Sequence, residues 1–233
     1  MATYSEPTTE LRVPLSRGRV LGAAVKLADE RGIDSLTMRN LAHALGVEAM
    51  SLYYHVANKE AVLDGVVEVI MGEIEREVGG FSSATTRAGW KSSVRERILS
   101  ARQVMLRHPW APAVFETRTT MSLDVVRYFN ALLGLFREGG FSYDLAHHAL
   151  HALGSRALGF TQELFDPADN TGEDESSAML EQMADQIPYL VGMMTEIGHD
   201  DPDSTLGWCD DQTEFEFGLD LTLDGLERVR DPA

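Results

Sequence analysis

The chain has 233 residues, 44% of them hydrophobic and 24% charged, with a formal net charge of −17. That apolar content can bury a sizeable core. No apolar run approaches the roughly 18 residues of a membrane helix, and no signal peptide is read ahead of the first polar stretch. A cytoplasmic protein without membrane contact is therefore expected, and the single cysteine, Cys209, fits a reducing compartment while ruling out an intrachain disulfide. The charge is segregated: residues 1–60 hold seven Lys/Arg and seven Asp/Glu, so the whole of the −17 falls on residues 61–233.

Residues 1–13 are polar and predict a loose arm. Ser16 can cap a helix running through Arg31, with Val20, Leu21, Ala24, Val25 and Ala28 on one face, and Gly32 ends it. Thr37 can cap a second helix whose face is Leu41, Ala42 and Leu45. Gly46 falls where that helix must stop, supplying the left-handed conformation that β-carbon-bearing residues resist. Val47 anchors the turn, and Glu48 to His55 predicts a short third helix. That is helix–turn–helix spacing, in which the second helix of the pair enters the DNA major groove. Leu52 and Val56 suit the core side, while Met50, Ser51, Tyr53, Tyr54 and His55 cover much of the rest. Hydroxyls reach phosphates, and short side chains let a helix approach base edges. The bland reading of the same residues is a helix hairpin inside an all-α protein, with the tyrosines as half-buried spacers.

Asn58 is a good N-cap for a long helix from Lys59 to Val78, which carries Val62, Val66, Val69, Ile70 and Ile74 before Gly79-Gly80. Lys59 in the first turn opposes the helix dipole unless a phosphate docks there, when amides and lysine face one anion. Further helices are predicted over Thr86–His108, stopped by Pro109 and Pro112, then Thr120–Glu138 and Ser142–Phe165. Residues 166–175 read as an acidic loop; Ala168 occupies a position that a calcium loop needs for an oxygen ligand. Ser176–Gly198 follows, interrupted near Pro188, then an acidic turn at 199–204. Asp210–Arg228 closes the chain with Phe215, Leu219, Leu223 and Leu226 facing inward and Phe217 and Leu221 off that face. The fold class is all-α.

Met105, Trp110, Phe115, Phe129, Met183 and Met194 suit an adaptable apolar ligand pocket, and an ordinary helical core equally. His147 and His151, four apart, could donate to a ligand; without two further ligands their spacing is a weak metal signal, and no metal or cofactor is expected. Leu153, Ala157 and Phe160 share a face beside small neighbours, and with Phe217 and Leu221 they are candidate dimer contacts. The histidines and scattered carboxylates form no acid–base or metal constellation of diagnostic spacing, so an enzyme is not expected.

Residues 15–65 resemble the N-terminal DNA-binding domain of the TetR family of bacterial transcriptional repressors. The residues that carry the resemblance are LSRGRVLGAAVKLADERG, Leu36-Thr37-Met38-Arg39, Leu41-Ala42, Leu45-Gly46-Val47, Leu52-Tyr53-Tyr54-His55-Val56 and Asn58-Lys59. FSYDLAHHALHALGSRALGF and FEFGLDLTLDGLERV resemble the ligand-binding and dimerisation part of the branch containing the tetracycline repressor. The resemblance implies a three-helix DNA-binding domain over 14–62 after the 1–13 arm, joined to a larger helical ligand-binding and dimerisation domain over 63–233. It implies a homodimer paired through a four-helix bundle, binding double-stranded operator DNA and released by a small-molecule inducer, with the fourth helix linking head and body. The DNA contacts expected are Arg17, Thr37, Met38, Arg39, Glu48, Ala49, Met50, Ser51, Tyr53, Tyr54, His55 and Lys59. Ser155 stands where a metal-coordinating histidine of the tetracycline site is expected, so a different, larger or more apolar ligand is anticipated. The alternative is a helical ligand-binding or interaction module without DNA function.

Overall fold

The computed structural model describes residues 14–79, 86–119, 122–159, 185–189, 191 and 211–230. The expected N-terminal arm, the acidic segments at 166–175 and 199–204, Phe160, Met183, Met194 and Cys209 lie outside the described residues, as does most of the helix expected at Ser176–Gly198. The elements are α1 (Arg17–Arg31), a 3-10 turn (Ile33–Ser35), α2 (Met38–Leu45), α3 (Ala49–Leu52), α4 (Lys59–Glu77), α5 (Trp90–Arg107), α6 (Ala111–Thr117), α7 (Leu123–Glu138), α8 (Tyr143–Gly159) and α9 (Asp211–Val229). All regular structure among the described residues is helical. The chain divides into two compact units, one of residues 1–80 and 103–128, the other of 81–102 and 129–233.

In the first unit, α1 packs on α2 and α4. Val20, Leu21, Ala24, Val25 and Ala28 are buried on one side of α1, as the periodicity predicts. They meet Leu41 and Ala42 of α2, Leu52 and Val56, and the Val62, Val66, Ile70 and Ile74 stripe of α4 in a common apolar core. The α1–α4 crossing is close at Gly65, where a β-carbon would overlap the Leu21 side chain. Arg118 ties the end of α6 to α4 by donating to Glu60 at 2.8 Å and Asp64 at 3.2 Å.

α6 is the element that the proline pattern concealed. Pro112 falls at the very start of the helix, where a missing N–H costs nothing because first-turn amides have no intrahelical partner. Ala111, Pro112 and Val114 are its buried face, and it packs on α4.

In the second unit, Trp90, Phe136 and Phe141 form an aromatic cluster with ring centroids 4.6–5.9 Å apart. α8 buries Ala146, Ala149 and Leu153, and α9 packs against it with Phe215, Leu219, Leu223 and Leu226 turned inward. Arg95 on α5 donates to Asp220 at 2.7 Å and Glu216 at 2.6 Å, and Lys91 pairs with Asp224. These bonds raise the Arg95 value further. Gln212, then Arg95, holds the Glu216 carboxyl below its ordinary value, and Lys91 does the same for Asp224.

Candidate nucleic-acid interface

The interface is built from local signals. The Asn40 amide donates to Thr37 Oγ1 at 3.1 Å, so Thr37 caps α2, and Asn40 Nδ2 donates to Ser35 O at 2.7 Å. Gly46 closes α2 in the left-handed region at φ 65°, ψ 36°. Its N–H and that of Val47 satisfy the last carbonyls, Val47 N–H reaching Ala42 O at 3.0 Å. The chain therefore reverses with its helix end hydrogen-bonded and enters α3 at a fixed angle.

α3 is shorter than the periodicity suggested. Its α-helical part is Ala49–Leu52, and residues 53–55 are a turn. Tyr53 N–H bonds to Met50 O at 3.3 Å and His55 N–H to Leu52 O at 2.8 Å, the i→i+3 pattern that tightens a helix end. Aromatic side chains at 53 and 54 have little helix propensity with which to carry the helix further. Leu52 is fully buried and Val56 nearly so, anchoring the segment from below. Above it, Met50 is 72% exposed and Tyr54 88%, with Tyr53 exposed and Ser51 and His55 half-buried. The surface is apolar, aromatic and hydroxylic on a scaffold that cannot rotate away.

The other expected contacts are placed as follows. Thr37, Arg39 and Glu48 are exposed, and Met38 and Ala49 half-buried. Asn58 caps α4, accepting from the Ala61 amide at 2.8 Å, which leaves the exposed Lys59 at the first position of the helix. Arg17 differs from the sequence picture of a simple phosphate cation. Its guanidinium is engaged bidentately by Glu68 of α4, at 2.8 and 3.1 Å, and this hydrogen bonding raises its already high value.

The expected ligand residues divide between the units. Met105 and Trp110 are buried and Phe115 half-buried in the first; Phe129, His147 and His151 are exposed in the second. The rings of His147 and His151 do meet, 4.5 Å apart and edge to face. Trp110 donates its Nε1–H to Asp29 at 2.7 Å. Among the described residues no group of three His, Cys, Asp or Glu is placed to hold a metal ion, and no helix is long and apolar enough to cross a membrane. Of the expected dimer contacts, Leu153 is buried within its own unit, whereas Phe217 and Leu221 are 61% and 57% exposed on α9. Ala157 lies in α8 with its side chain outside the described ones.

Sequence reasoning missed a polar junction of Asp29, Glu73, His108 and Trp110. Its hydrogen-bonded pairs lie 35–81 residues apart, so no local spacing points to them. Only the His108-Pro109-Trp110 run after a helix end hints that the segment has a fixed partner.

Comparison with known proteins agrees with this geometry at both ends of the chain. Residues 20–66 match the family described as "Bacterial regulatory proteins, tetR family", and residues 83–230 match "Tetracyclin repressor-like, C-terminal domain". The Tetracycline repressor protein class D of Escherichia coli is 29% identical over 218 residues, spanning 91% of this chain and 89% of its own length. A possible TetR family transcriptional regulator from Streptomyces coelicolor A3(2) superposes with a TM-score of 0.71 at 28% identity, covering 92% of this chain and all of its own. A TetR variant from Acinetobacter baumannii AYE, solved in complex with minocycline, gives a TM-score of 0.64 at 26% identity over 94% of this chain and all of its own. With both of its parts matched, the chain belongs to the TetR family of bacterial transcriptional regulators.

Proposed function

We infer that this regulator is a cytoplasmic homodimeric repressor that leaves its operator when a small molecule binds the larger helical part. The observation that carries the DNA half is the exposed Met50–Tyr54 surface, held in place by the fully buried Leu52. In this reading residues 14–62 are the DNA-binding head, after a 1–13 arm, and residues 63–233 the ligand-binding and dimerisation part. Met50, Ser51 and Tyr53 approach base edges, thymine methyls included, while Thr37, Arg39, Tyr54 and Lys59 serve phosphates. Arg17 joins them through the guanidinium N–H groups that Glu68 leaves free, or by exchanging Glu68 for a phosphate. The acidic residues beyond position 60 repel DNA and confine contact to the head.

Dimerisation through α8 and α9 is supported by the large apolar side chains of Phe217 and Leu221 left in solvent on a helix whose other face is filled. A dimer presents two α3 segments to half-sites about one turn, ~34 Å, apart. An inducer acts through unequal affinity for the DNA-competent and DNA-incompetent states, so inducer and operator weaken each other reciprocally. The minocycline complex of a relative supports a drug-sized ligand; its identity here is a separate question.

The test is fluorescence anisotropy of the full-length protein on DNA flanking its own gene, against scrambled DNA at two salt concentrations. Saturable binding with two subunits per site and a steep salt dependence supports the reading. Equal affinity for flanking and scrambled DNA, and for fragments recovered by genome-wide selection, overturns it in favour of an interaction module.

A further inference from the structure

The junction around His108 joins three helices within the first unit. His108 follows the last residue of α5 and is 7% exposed. Its Nδ1 lies 2.8 Å from Asp29 Oδ1 on α1, and its Nε2 lies 3.1 Å from Glu73 Oε2 on α4. An ionised carboxylate only accepts hydrogen bonds, and a neutral imidazole has a single N–H to give. Both contacts are hydrogen bonds only when both ring nitrogens carry protons. In the neutral ring, one nitrogen lone pair faces a carboxylate oxygen in a partly buried place, which costs more than a bond forgone.

The two contacts are not equivalent. Asp29 Oδ1 also accepts from Trp110 Nε1 at 2.7 Å, so its position is held whatever the charge of the ring. Glu73 has its other neighbours at longer range: Arg107 at 3.8 Å and Arg76 at 4.0 Å. Arg107 is closer to Glu77, at 3.0 Å. Arginine stays charged across the accessible pH range. Of the ionisable groups facing this point from α1, α4 and α5, the histidine is therefore the type whose charge changes between about pH 5 and 8. A neutral ring keeps one of the two contacts and turns a lone pair to the other carboxylate, on α1 or on α4; α4 is the helix that Asn58 and Lys59 begin.

The geometry points to His108 as a charge-dependent positioning residue for operator binding. As the imidazolium it fastens the end of α5 to both α1 and α4; as the neutral ring it holds only one of them. A head held in one placement loses less freedom on meeting DNA than a loosened one, so operator affinity falls when the ring loses its second proton. This rests on the operator-binding reading given above.

Two measurements separate the parts. Nitrogen-15 NMR of the histidine-labelled full-length protein, with His108 assigned from the His108→Gln spectrum, reads ring protonation directly and needs no DNA. Anisotropy on the operator fragment recovered by selection is then run at pH 6 and pH 8 for wild type, His108→Gln and Glu73→Gln. The expected result is a doubly protonated His108 ring at pH 6 and a loss of about five-fold in wild-type affinity at pH 8, the lower end of typical coupling. Glu73→Gln is expected to stay tight at both pH values, because its amide donates to the neutral Nε2. His108→Gln is expected to be weak at both. His43 and His55 are common to all three proteins, so their titration cancels in the comparison. A ring carrying one proton throughout, or the same pH ratio in all three proteins, overturns the inference. If no fragment is bound, the operator-binding reading fails and operator control by His108 falls with it, while the NMR titration still decides whether the doubly protonated junction exists.

Discussion

Two of the segments that leave large apolar side chains in solvent, α3 with the turn after it and α9, differ in almost everything else. α3 is one short turn in a segment with balanced charge; it exposes Met50, and the turn after it exposes Tyr53 and Tyr54. α9 is a 19-residue helix that exposes Phe217 and Leu221 while Glu216, Asp220 and Asp224 are spent on Arg95 and Lys91. A short aromatic and hydroxylic patch suits the mixed chemistry of a groove, in which every phosphate demands a polar group. A long helix with one face filled and another apolar suits a second copy of itself. In the proposed reading, helix length and the surrounding charge are what distinguish the two surfaces.

The comparison breaks most completely at Leu52. Its replacement by alanine removes the anchor beneath α3 and is expected to cost about 2–5 kcal/mol, read as a drop in the denaturant midpoint together with loss of operator binding. Next in size, Phe217→Asp with Leu221→Asp should convert the proposed dimer to a folded monomer. Analytical ultracentrifugation would show the mass halved while circular dichroism keeps the helical signal; a retained dimer would move the interface away from α9. Smaller again, Lys59→Ala should weaken binding to every DNA sequence alike and lower the salt slope by about 1. A change confined to specific sites would instead make Lys59 a base reader.

The smallest expected effect lies on α9. Glu216 is held below its ordinary value in the folded state, so its stabilising contribution is present above the unfolded value of about 4.3. It is lost as the pH falls through the lower folded value. Thermal unfolding on the acid side should therefore decline less steeply in Glu216→Gln than in wild type, and only slightly so, because the side chain is part exposed and its ion pair screened.

The difference between α3 and α9 also sets what the sequence could convey. The buried faces of α1, α4 and α9, and the caps at Ser16, Thr37 and Asn58, were legible because each is settled within a few residues of itself. The exposed positions of the recognition segment were legible for the same reason. α6 was not, because Pro112 reads as a stop until its place at a helix start is seen. Nor were the partners of Trp110 and Arg17. Asp29 and Glu68 lie 81 and 51 residues from them, and neither residue type announces so distant a neighbour. Trp110 read as pocket or core equally because a tryptophan among helices is an apolar mass until its N–H finds an acceptor.

Gly65 has a consequence for how the head is packed. The Leu21 side chain occupies the space where any other residue at 65 would place its first carbon, so α1 fills the notch that the glycine leaves on α4. An alanine there is a wedge one methyl thick. Driven between α1 and α4, it would press on the packing beneath the proposed recognition segment without changing any side chain of that segment, which makes the absence of a single carbon part of how the head is held together.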